Sequence, residues 1–156
     1  MNKIKYLIMD VDGTLTDGKI YMGSNGEVCK AFNVKDGCGI HDIAIPANII
    51  PIVITGRQSN IVSNRCKEIG IDTVYQGVHN KIEKLLLITS KFSEVAYIGD
   101  DINDIACMYA IKEHGGIIGC PHDAVNEVKE ICDFISSYDG GNGAVREFID
   151  WIIKEF

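Results

Sequence analysis

At 156 residues the chain has the length of one domain, with room for a real core and little for a second unit. Hydrophobic residues make up 46% and charged residues 24%, the balance of an ordinary globular protein. A net charge of -7 excludes nucleic acid and anionic membrane as partners, because both need a basic face, so a phosphorylated ligand would have to be drawn by a local cation.

Residues 4–9 form a nearly continuous apolar run ending in Asp10, the pattern of a strand buried on both faces. Stretches 19–23 and 27–32 flank Ser24-Asn25-Gly26 and predict a β-hairpin over about 19–32. A helix is expected over 36–44, ending near Pro46. Residues 49–54 predict a second buried strand running into Thr55-Gly56-Arg57. Ser59 then caps a helix through Glu68, which Gly70 closes. A short strand follows at 72–75, then an amphipathic helix at 80–89 with Ile82, Leu85, Leu86 and Ile88 as its apolar stripe. Residues 95–98 predict a strand ending in Gly99-Asp100-Asp101, with a helix at 103–112 behind it. Short strands at 116–119 and 134–135 enclose a helix at 124–131, and a helix at 144–156 closes the chain.

Strands alternating with helices predict an α/β fold: a doubly wound, Rossmann-like parallel sheet with helices on both faces and a hairpin inserted after the first strand. Residues 1–156 read as a single domain. In such sheets ligands bind beyond the carboxyl ends of the strands, and three strands here end in Asp10, Thr55 and Asp100. No window reaches the roughly 18 apolar residues of a membrane span, and the N-terminal apolar run is too short for a secretory signal. The six cysteines lack zinc-ligand spacing, so reduced thiols in a cytoplasmic protein are expected.

The strongest local signal is Asp10-Val11-Asp12-Gly13-Thr14. As a calcium loop it fails, because Gly13 and Tyr21 stand where that loop's geometry requires other residues, and a strand rather than a helix precedes it. As D-x-D-G-T after a first strand it resembles the opening motif of the haloacid dehalogenase-type phosphatases. Ile54-Thr55-Gly56 resembles that superfamily's second motif, Lys81 its third, and Gly99-Asp100-Asp101-Ile102-Asn103-Asp104 the G-D-x-x-x-D form of its fourth. Asp10, Asp12, Asp100 and Asp104 in one crevice require a hard divalent cation, and an oxygen-only ligand set suits magnesium.

The resemblance implies that Asp10 and Asp100 ligate Mg2+ with side chains, Asp12 with its backbone carbonyl, and that Asp104 helps hold the metal's shell. It further implies Asp10 as nucleophile, Asp12 as general acid and base, and Thr55, Gly56 and Lys81 as binders of the phosphoryl group. Neither gap between motifs can hold a cap domain. The stretch from Lys30 to Ile40, Thr55-Gly56-Arg57-Gln58-Ser59, Gln76-Gly77 and the tail from Gly140 to Glu147 resemble the 3-deoxy-D-manno-octulosonate 8-phosphate phosphatases, a family of capless homotetramers. This implies a phosphorylated 2-keto sugar acid as substrate, with nine-carbon sialic-acid-type phosphates as the alternative.

The substrate's carboxylate calls for a guanidinium. Arg57, at the mouth of the crevice, is the first choice against a surface salt bridge. Arg146, in the glycine-rich tail, is the second against a helix-surface position, and Arg65 reads as structural. A phospho-accepting receiver domain would place its acidic pair on the first strand and its phosphorylated Asp on the third, the reverse of the order here. A fold-retaining but idle interaction protein is disfavoured by the intact Asp10, Asp12, Lys81 and Asp100.

Overall fold

The first apolar run forms β1 (Tyr6–Met9) at the centre of a parallel sheet, in a computed structural model that describes residues 4–156. The other sheet strands are β4 (Ile50–Ile54), β5 (Thr73–Tyr75), β6 (Val95–Ile98), β7 (Ile117–Cys120) and β8 (Phe134–Ile135). Their order is β5-β4-β1-β6-β7-β8, with β1 paired in parallel to β4 on one side and β6 on the other. The chain builds outward from β1 to β5, then returns to lay β6 against β1's other edge. That reversal is a topological switch point, and it lies between the strands that end in Asp10 and Asp100.

Each central strand alternates its residues between two cores. Leu7, Met9, Val53, Ala96 and Ile98 face one layer, while Ile8, Ile52, Ile54, Val95 and Tyr97 face the other. The first layer is closed by α2 (Asn60–Glu68) and α6 (Ala144–Glu155), through Val62, Cys66, Val145, Phe148, Ile149 and Ile152. The second is closed by α3 (Lys81–Ile88), α4 (Ile105–Glu113) and the short α5 (Asn126–Lys129). Pro51 fits within β4 because pairing to β5 begins only at Ile52↔Thr73. Ile50 N already donates to Lys5 O on the β1 side, so the missing N–H of Pro51 points to the other side, ahead of that pairing.

The separate hairpin is β2 (Tyr21–Gly23) and β3 (Gly26–Cys29), shorter than the predicted 19–32. Its turn residues are Ser24 and Asn25, and Gly26, at φ +113°, already belongs to β3. The helix expected at 36–44 starts earlier, because Asn33 caps α1 (Val34–Cys38) by accepting from Lys35 N at 2.8 Å. It then loosens into a π-helical segment (Gly39–Ala44), in which Ile45 N reaches back to Ile40 O at 3.1 Å. The stripe on α3 also differs: Leu85 is buried, but Leu86 is 58% exposed, and the buried i−4 neighbour of Leu85 is Lys81. No cap lies among the described residues. Only the hairpin and the α1–π segment separate β1 from β4, and only α2 and β5 separate β4 from α3.

Helix α6 begins at Gly143, which has no side chain to cap it. Asp36 of α1 does so from a distance, its Oδ1 accepting from Arg146 N at 2.9 Å. Burial pushes the Asp36 carboxyl above its ordinary value, against the bonds it accepts from the α6 backbone. Asp36→Ala should lower stability by about 1–2 kcal/mol, the range for a lost helix cap. A urea midpoint shifted down at unchanged slope checks this.

Candidate active site

At the switch point Asp10 leaves the end of β1 with its carboxylate 5% exposed, and its backbone N donates to Ile98 O at 3.1 Å. Lys81, the first residue of α3, is buried beside it. Its Nζ donates to Asp10 Oδ1 and to Asp104 Oδ1, both at 2.8 Å. One ligand atom each from Asp10, Asp100 and Asp104 lies within 4.8 Å of the other two. Thr14 Oγ1 donates to Asp100 Oδ1 at 3.1 Å, fixing the third carboxylate.

Two glycines make room for this cluster. A Cβ on Gly13, at φ +91°, would come within 2.0 Å of Asp100 Oδ2, and one on Gly99 within 2.4 Å of Asp104 Cγ. The motif loop is also braced by the glycine-rich tail. Gly141 N donates to Thr14 O at 3.0 Å, and a Cβ on Gly140 would lie 1.9 Å from Gly13 O.

Burial and the charge of Asp104 push the Asp10 carboxyl up to about 6, with Lys81 working in the opposite direction. Burial, with Asp10 and Asp104, pushes Asp100 up to about 8. For Lys81, burial opposes the charge, but the two ion pairs outweigh it and hold the ammonium above its ordinary value. Three carboxyl groups crowd one ammonium in a largely buried pocket, and a like-charge pair about 4 Å apart costs about 4 kcal/mol at an effective dielectric of 20, which on top of burial keeps Asp10 and Asp100 from ionising freely. An oxygen-only set of this kind fits a hard divalent cation. Saturating Mg2+ over EDTA should therefore raise the melting temperature by roughly 5–10 °C. That follows from about 2.7 kcal/mol at a hundredfold excess over Kd and a few degrees per kcal/mol. An unchanged melt would contradict the fit.

Asp104 is in the cluster by distance but differs in its bonding. Its Oδ1 accepts from Lys81 Nζ and from Tyr97 Oη at 2.6 Å, and its Oδ2 accepts from Asp100 N at 3.0 Å and Asp101 N at 3.3 Å. A carboxylate has about four acceptor positions, and all are taken. Asp104 thus holds Lys81 and the Gly99-Asp100-Asp101 turn, and direct coordination by it would require a donor to leave. Asp101 faces outward, and its Oδ1 caps the 3-10 turn Ile102–Asp104 by accepting from Ile102 N at 2.7 Å.

Thr55 is buried at the end of β4, its N bonded to Tyr75 O at 2.9 Å, and a Cβ on Gly56 beside it would meet Val78 O at 3.7 Å, an ordinary contact. Asp12 sits on the loop with its side chain 18% exposed and accepts from Lys30 Nζ. The sequence reading gave Lys30 no role. Its signal was a lysine just past the hairpin, legible only once the hairpin is folded over the loop. Arg57 is half exposed, 3.5 Å from Glu27 Oε2. Arg146 is placed differently from the expectation of a residue over the crevice: its Nε is held by Asp150 of its own helix, at 3.0 Å. Arg65 pairs with Glu68 at 2.9 Å, as a structural residue would.

Fold and carboxylate cluster together are those of a phosphatase of the haloacid dehalogenase superfamily. No family model matches the chain. It is, however, 42% identical over 154 residues to the 3-deoxy-D-manno-octulosonate 8-phosphate phosphatase KdsC of Salmonella typhi, covering 96% of this chain and 79% of that one. To the Escherichia coli K12 protein of the same name it is 41% identical with the same coverage. The chain belongs to this family of phosphatases.

Among solved structures, the Moraxella catarrhalis 3-deoxy-D-manno-octulosonate 8-phosphate phosphatase, in complex with magnesium, phosphate and KDO, superposes with a TM-score of 0.87. It is 40% identical, over 97% of this chain and 86% of that one. The cobalt-bound Haemophilus influenzae enzyme gives a TM-score of 0.88 at 36% identity, over 98% of this chain and 89% of that one. Both carry a divalent metal, in keeping with the acidic pocket here. No helix among the described residues is long and apolar enough to cross a membrane.

Proposed function

We propose that the chain is a magnesium-dependent phosphomonoester hydrolase acting on 3-deoxy-D-manno-octulosonate 8-phosphate. The observation that carries this reading is the buried Asp10 carboxylate at the switch point, between Lys81 and Asp100. Asp10 and Asp100 would hold Mg2+ with side chains and Asp12 with its backbone carbonyl, with Asp104 keeping the surrounding turn in place. When bound, the ion offsets the carboxylate charge and the negative charge of the phosphoryl group.

Asp10 attacks phosphorus in line; a bond from its carboxylate oxygen to phosphorus forms as the ester P–O bond breaks, giving an aspartyl-phosphate. Asp12 gives a proton to the departing sugar oxygen. It then takes one from the water that attacks the phosphorus, which returns Asp10 as a carboxylate and releases inorganic phosphate. Thr55, the backbone at Gly56 and Lys81 bind the phosphoryl oxygens and offset their charge in the transition state.

Arg57, half exposed beyond β4, would meet the substrate's carboxylate on leaving Glu27, and Arg146 would first have to leave Asp150. With no cap, the crevice would be completed by other subunits of a homotetramer. Exposed Tyr21, Met22 and Val28 on the hairpin support such an interface. The reading includes one domain over residues 1–156 acting in the cytoplasm. It is tested by comparing kcat/KM for octulosonate 8-phosphates and nonulosonate 9-phosphates with Mg2+ present. The eight-carbon ester should lead by about tenfold or more, the discrimination a pocket fitted to one chain length supplies against a chain one carbon longer. A lead for the nine-carbon esters would move the assignment to that substrate.

A further inference from the structure

The hairpin does more than present an apolar surface. Lys30, just past β3, has a side chain only 1% exposed, although nothing in its sequence neighbourhood predicts a buried lysine. Its ammonium donates to Asp12 Oδ1 and lies 3.0 Å from Glu27 Oε2. Glu27, on β3, is itself held by the start of α2: its Oε1 accepts from Ser59 Oγ, the N-cap of that helix, at 2.9 Å. A continuous run of charge-assisted contacts therefore leads from the α2 cap through the hairpin to the carboxylate of Asp12.

Such a run has a directional consequence. A buried ammonium is stable only while its carboxylate partners stay in place, so Lys30 and Glu27 fix each other and the hairpin end against the loop. Asp12 lies on that loop, not on a strand, and Lys30 is the side-chain partner that its carboxylate has there. A general acid must lie within about 3 Å of the oxygen it protonates, and a misplacement of about 1 Å can cost about a hundredfold in rate.

We infer that Lys30, held by Glu27, is a positioning residue that aims the Asp12 carboxylate at the leaving oxygen and then at the attacking water. Lys30 gives up no proton in either step. The inference rests on the reading of Asp12 as general acid and base, and on no particular sugar.

The test uses the full chain with Mg2+ and two substrates, the octulosonate 8-phosphate and p-nitrophenyl phosphate. The second leaves as a stabilised phenolate and needs no proton to depart. Lys30→Met should lower kcat on the sugar phosphate about 10- to 100-fold with KM changed less than about threefold. On p-nitrophenyl phosphate it should keep a rapid first release of phenolate followed by slow turnover, because only the water-activating step still needs Asp12 aimed. Lys30→Arg should recover part of the loss, and Glu27→Gln should show the same split in weaker form.

Unchanged kcat in Lys30→Met overturns the inference. So does an equal loss of first release and turnover, which is the mark of a structural role. If Lys30→Met does not fold, by circular dichroism, the same split in Lys30→Arg and Glu27→Gln decides the matter. Asp12→Asn is the control: full activity there would refute the acid–base reading itself, whereas an inactive Asp12→Asn beside a fully active Lys30→Met refutes only the role of Lys30.

Discussion

Asp10→Asn should abolish release of inorganic phosphate, lowering kcat by about 10⁴-fold or more, while the protein stays folded. The size follows from removing a nucleophile for which no other group in the cluster can substitute. Asp100 is held by Thr14, and Asp104 has all its acceptor positions filled, so neither is free to turn toward phosphorus. The fold should survive because Asp10 is a strained charge in the absence of metal. Burial and Asp104 push its carboxyl up to about 6, and an amide of nearly the same shape still accepts from Lys81. Melting temperatures in EDTA should therefore agree within a few degrees between the two proteins. The Mg2+-induced rise should shrink in the variant, since one of the carboxylates proposed to hold the ion would lose its charge. Steady phosphate release by Asp10→Asn at more than a few per cent of the parent rate would reject Asp10 as nucleophile. A single stoichiometric phosphorylation of the parent chain without turnover would instead favour a phospho-accepting domain.

The parts of this site that were legible in the sequence are those at strand ends. Asp10, Thr55 and Asp100 follow short apolar runs whose register is fixed by burial on both faces, so their position at one edge of the sheet follows from local pattern alone. Lys81 was legible as the opening residue of a helix, but its burial was not. An amphipathic reading of 80–89 places Leu86 inward, whereas the ion pairs with Asp10 and Asp104 draw Lys81 in and leave Leu86 outside. Contacts that close over long separations were not legible at all. Asp36 caps a helix 110 residues away, and Lys30 reaches Asp12 only because the hairpin folds back on the loop. The π-helical stretch after α1 was missed because composition alone does not distinguish it from an ordinary helix. For Arg146, a place in the glycine-rich tail suggested proximity to the crevice. The tail does touch the motif loop at Gly140 and Gly141, but Arg146 lies on the helix beyond it, where Asp150, one turn on, takes its guanidinium.

Lys81→Met should separate stability from chemistry. Lys81 is the only cation in contact with the carboxylate cluster among the described residues, and its side chain is 1% exposed. Its removal leaves Asp10 and Asp104 buried without a counter-charge, the situation in which breaking a buried ion pair costs about 3–5 kcal/mol. In EDTA the variant should melt roughly 10 °C or more below the parent, or be unfolded at room temperature. Mg2+ should recover much of that difference, because a divalent ion held by Asp10 and Asp100, as proposed, would supply the missing positive charge. Activity should not return with the fold. A methionine offers no donor to the phosphoryl oxygens, and losing one charged donor in a water-poor site costs about 10²–10³ in kcat. Melting curves and phosphate release measured on the same Mg2+-loaded sample decide the matter. Recovery of both would make Lys81 a structural counter-ion alone, and recovery of neither would mean that the cation does not bind between Asp10 and Asp100.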